Sequence, residues 1–107
     1  MNREVFKKAA DYLREKGWRN DGEYSDNLGD PDKLVTGPCC LVGACAAVMG
    51  VVPAEFEVTS EYKAVEAAVR TASGCSTTYV NVTGWNDEQK DPAPVIALLE
   101  ALAEVPA

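Results

Sequence analysis

The sequence predicts a mainly α domain: a small orthogonal bundle of four helices, with a long acidic loop at 18–38 and one short extended segment at 77–83. Three observations carry that prediction. Four stretches place apolar residues at helical spacing. Most of these stretches are bounded by glycine, proline or a capping side chain. Only one short run is β-branched, and a lone strand has no partner in a helical domain. The 107 residues, 47% of them apolar and 25% charged, make one ordinary globular domain, 1–107, and are too few for two.

The first helix is expected over 3–16. Val5, Phe6, Ala9, Ala10 and Leu13 form one apolar stripe, Asn2 is a suitable N-cap, and Gly17 stands where a left-handed residue commonly ends a helix. The loop 18–38 follows, dense in Gly, Asn, Asp and Pro, which favour Asx-type turns. Its acids (Asp21, Glu23, Asp26, Asp30, Asp32) lack the alternate-position spacing and closing glutamate of an EF-hand. Trp18 and Tyr24 are expected to pin the loop to the core.

The second helix, 39–50, is apolar nearly all round and so belongs at the centre, with Pro38 in its first turn and Gly50 closing it. Gly43 and Ala47, four residues apart, offer a flat face to a neighbouring backbone. Residues 51–59 read as irregular, with Pro53 as a breaker. Ser60 then caps a third helix to about Ser73, with Tyr62, Val65, Ala68, Val69 and Ala72 on one face and Gly74 beyond its end. Asp91-Pro92 opens the last helix, which carries Val95, Ile96, Leu98, Leu99 and Leu102.

Charge narrows the function classes. The net charge of −7 is unevenly spread: residues 1–18 hold five bases against three acids, and the remainder five bases against fourteen acids. Such a body repels phosphate backbones, so direct nucleic-acid binding is not expected, and a protein partner is expected to present a basic surface. Acids arrayed at phosphate-like spacing would make a nucleic-acid mimic. The amino-terminal residues lack an apolar signal segment. The longest apolar run, Cys39 to Val52, is shorter than the roughly twenty residues a membrane helix needs. No membrane association is expected, and a cytoplasmic location is.

The four cysteines, Cys39, Cys40, Cys45 and Cys75, read as buried thiols filling space. Disulfides do not suit a reducing cytoplasm. The chain has no histidine and no C-x-x-C pair, so neither a metal site nor a cofactor is expected. The missing histidine also removes the commonest partner of a nucleophile, which leaves no catalytic residue to nominate. An enzyme, using Cys40 or Cys45 as nucleophile or Asp87 as base, is the weakest of the functional expectations.

Trp85-Asn86-Asp87 stands out. A tryptophan beside an amide and a carboxylate can stack a ligand and orient it. The alternative is structural: Trp85 closes the core while Asn86 and Asp87 turn the chain and cap the next helix.

Gly17-Trp18, the run Cys40-Leu41-Val42-Gly43-Ala44, and Trp85-Asn86-Asp87 ahead of Val95-Ile96-x-Leu98-Leu99 resemble a family of short uncharacterised helical proteins from actinobacteria and their phages. The resemblance covers most of the chain. It departs at Asp91-Pro92-Ala93-Pro94 and at the doubled Cys39-Cys40. It implies that Trp18, Gly43, Trp85, Asn86 and Asp87 work together, as one structural cluster or one shared pocket. The leading expectation is a non-enzymatic accessory protein, phage-encoded in one version, that binds a host or phage protein and self-associates. The alternative is a protein that binds or sequesters a nucleotide or metabolite in a Trp-Asn-Asp pocket.

Overall fold

The computed structural model describes residues 1–21, 30–74 and 81–104. Among these residues six helices are formed: α1 (Glu4–Lys16), α2 (Leu41–Met49), α3 (Pro53–Phe56), α4 (Ser60–Ser73), α5 (Val82–Glu88) and α6 (Ala93–Glu104). The four long ones correspond to the four expected stretches. Among the described residues the sole β feature is an isolated parallel bridge between Trp18 and Cys39.

The stripe of α1 is buried as its periodicity requires: Val5, Phe6, Ala9, Ala10 and Leu13 all face the core. This helix lies against both α2 and α6. The N-cap position of α1 is Arg3 and not the expected Asn2, although the Asn2 side chain one residue earlier accepts the Glu4 N–H at 3.1 Å; the Arg3 guanidinium donates to the Leu102 carbonyl near the end of α6 at 3.1 Å. Gly17 ends α1 with φ of 100° and ψ of 161°, a conformation outside the left-handed helical region that side chains still disfavour. The chain then extends alongside residue 39, with Cys39 N–H donating to Gly17 at 3.2 Å and Arg19 N–H donating to Cys39 at 3.1 Å.

That bridge explains why α2 starts later than its sequence suggests. Cys39 is held extended, Cys40 becomes the N-cap, and Pro38 lies outside the helix instead of in its first turn. From Leu41 to Ala46 every residue of α2 is buried, as expected of a helix apolar on all sides. Gly50, at φ 72°, closes it.

Two segments expected to be irregular are short helices. Pro53 begins α3 rather than breaking structure, because its fixed φ suits a first helical turn. The Ala54 N–H donates to Pro31 at 3.0 Å and so fastens this turn to the loop. Phe56, fully buried, meets Tyr62 edge to face with ring centroids 5.6 Å apart. The cap of α4 is Thr59, not Ser60: its hydroxyl accepts the Tyr62 N–H at 3.2 Å.

The extended segment expected at 77–83 falls partly outside the described residues, as does Tyr24. Its described end is helical. Asn81 caps α5 by accepting the Gly84 N–H at 2.9 Å, and Val82 and Thr83 form its first turn. Trp85-Asn86-Asp87 therefore sits within a helix and not in a turn. Asp91 accepts the Ala93 N–H at 2.9 Å and starts α6.

Candidate functional site

Asn86 is a buried polar side chain held from several sides. It is fully buried, and four hydrogen bonds occupy it. Its Oδ1 accepts from Trp18 Nε1 at 2.8 Å and from the Leu41 N–H at 3.1 Å. Its Nδ2 donates to the Arg19 carbonyl at 3.0 Å and to Asp87 Oδ1 at 3.1 Å. Two lone pairs and two N–H groups are the full capacity of an amide, so this one is spent inside the protein. The bonds join α5 to the strand-like residues 18–19 and to the first turn of α2. Asn20 adds a further tie, donating to the Gln89 carbonyl at 2.8 Å.

Of the five residues singled out in sequence, Trp18, Asn86 and Asp87 thus meet in one hydrogen-bonded cluster. Trp85 is buried beside Asn86 on α5, with its ring in the core. Gly43 stands apart from these bonds, in the first turn of α2, where its N–H donates to Cys40 Sγ at 3.4 Å. Leu41 and Gly43 are early donors of α2 that no helical carbonyl can reach. Asn86 and Cys40 serve them.

The thiols that could act as nucleophiles are sealed. Cys39 and Cys45 are fully buried and Cys40 almost so. Burial holds the Cys39 and Cys45 thiols well above the ordinary range. Burial also pushes Cys40 up to about 11, against the two helical N–H groups at Gly43 and Val42 that favour its thiolate. Cys75 lies outside the described residues.

A second feature is an open groove of about 640 Å³ between α4, α5 and α6. Ala68 and Ala72 of α4 and Ala97 and Ala101 of α6 line it, together with Pro94, Leu102 and the largely buried Trp85 and Leu98. Thr71 and Gln89 supply polar groups. The Gln89 amide donates to the Trp85 carbonyl at 2.8 Å, which directs the side chain back along α5. Trp85 is the member of the Trp-Asn-Asp tripeptide that lines this groove. Asn86, Asp87, Trp18 and Gly43 do not line it. The sequence carried a signal for the groove: Ala68 and Ala72, and Ala97 and Ala101, are i,i+4 pairs of small residues on facing helices. Ala72, expected on the same face of α4 as Val65 and Val69, is exposed, as are Ala97 and Ala101.

No helix among the described residues is long and apolar enough to cross a membrane. No curated protein and no solved structure matches the chain. Residues 2–105 match the model of DUF6197, a family of unknown function. The chain belongs to that family.

Proposed function

Because membership of DUF6197 assigns no activity, we propose from the site itself that this chain is a non-enzymatic interaction protein, engaging another protein through the groove between α4, α5 and α6. One observation carries the reading. Among the described residues, exposed alanines of α4 and α6 face outward together along this groove, while the Asn86 cluster is consumed by internal bonds. Alanine walls let a partner approach closely, and they lose no side-chain freedom on contact. The shielded thiols and the absence of histidine support a binding role over a catalytic one. An origin in actinobacteria or their phages would make a host or phage protein the natural partner.

Site-specific photocrosslinking tests this. A photoreactive residue at Ala97 is expected to capture a defined protein that one at Lys8, on the exposed side of α1, does not. Ala101→Gln should remove that capture. Identical capture at both positions would reject the groove as the working surface.

A small-molecule reading is favoured by one observation: 640 Å³ falls within the size range of ligand sites. Such a ligand would contact the exposed part of Trp85 and bond to Gln89 or Thr71, not to Asn86. A thermal-shift screen of nucleotides and metabolites checks it. Ligand at about a hundred times its dissociation constant adds about 2.7 kcal/mol of stability.

A further inference from the structure

We draw no further inference here: the strongest candidate, the open groove lined by the alanines of α4 and α6, is an uncharged face that belongs to the site already described, and nothing in the structure shows what covers it.

Discussion

Replacing Asn86 by alanine leaves the Trp18 indole N–H and the Leu41 N–H without their acceptor and the Arg19 carbonyl without its donor. A buried group left unpaired costs about 1–3 kcal/mol, so Asn86→Ala should lower unfolding free energy by about 3 kcal/mol in urea titrations. Trp18→Phe removes one donor while Leu41 still satisfies the same oxygen, and it should cost clearly less. Equal losses would mean that ring packing, not the hydrogen bond, sets the value of Trp18. Glu61 gives the residue scale a pH signature. The Asn2 N–H bond holds its carboxylate below the ordinary value of 4.5, outweighing the burial that opposes ionisation. A group whose folded pKa is depressed stabilises the fold above its unfolded pKa and loses that contribution as pH falls through the folded value. Glu61→Gln should therefore destabilise near neutral pH and show a smaller further loss than wild type on acidification below about 4.5, measured by thermal melts across pH. The sealed thiols have a direct readout as well. In a Cys75→Ser background, Cys39, Cys40 and Cys45 should react with a thiol reagent only as fast as the protein opens, and promptly once it is unfolded.

At the scale of elements, the long helices were legible because an apolar stripe repeated over three or more turns leaves few alternatives. The five residues read as the face of α1 are its five buried residues. Helices α3 and α5 were not legible, for one physical reason. Four and seven residues span too few turns for periodicity to register, so a cap and tertiary contacts decide them. For α5 the deciding residue is Asn81. Its side chain occupies the space beside Gly84, where an added Cβ would come within 2.8 Å of Asn81 Nδ2. Gly84→Ala must therefore displace the cap, and it should cost about 1 kcal/mol, comparable to Thr59→Ala at α4. Little change for Gly84→Ala would show that Asn81 can rotate away without loss. The candidate site was half legible for a related reason. The sequence singled out Trp85-Asn86-Asp87 by composition, and these residues do share an element with Trp18 bonded to it. Which side chains face inward depends on α5 being helical: Asn86 and Trp85 both turn inward, and Trp85 also borders the groove. The alanines of the groove look like ordinary helix formers until the two helices are seen side by side.

For the molecule as a whole, salt separates what holds the fold together from what pushes it apart. The ion pairs Arg14–Asp11, Arg14–Glu100 and Lys16–Glu15 are between half-exposed or exposed side chains, and such pairs contribute little in water. Cohesion comes instead from apolar burial around α2, from Phe6, Phe56, Leu41 and Leu99 among others, which salt does not weaken. What salt does screen is the self-repulsion of a chain at −7, over a range of about 10 Å at 0.1 M and less above it. Raising sodium chloride from low to moderate concentration should therefore raise the melting temperature modestly. A fall in melting temperature over that titration would mean that ion pairs, and not the core around α2, maintain the fold.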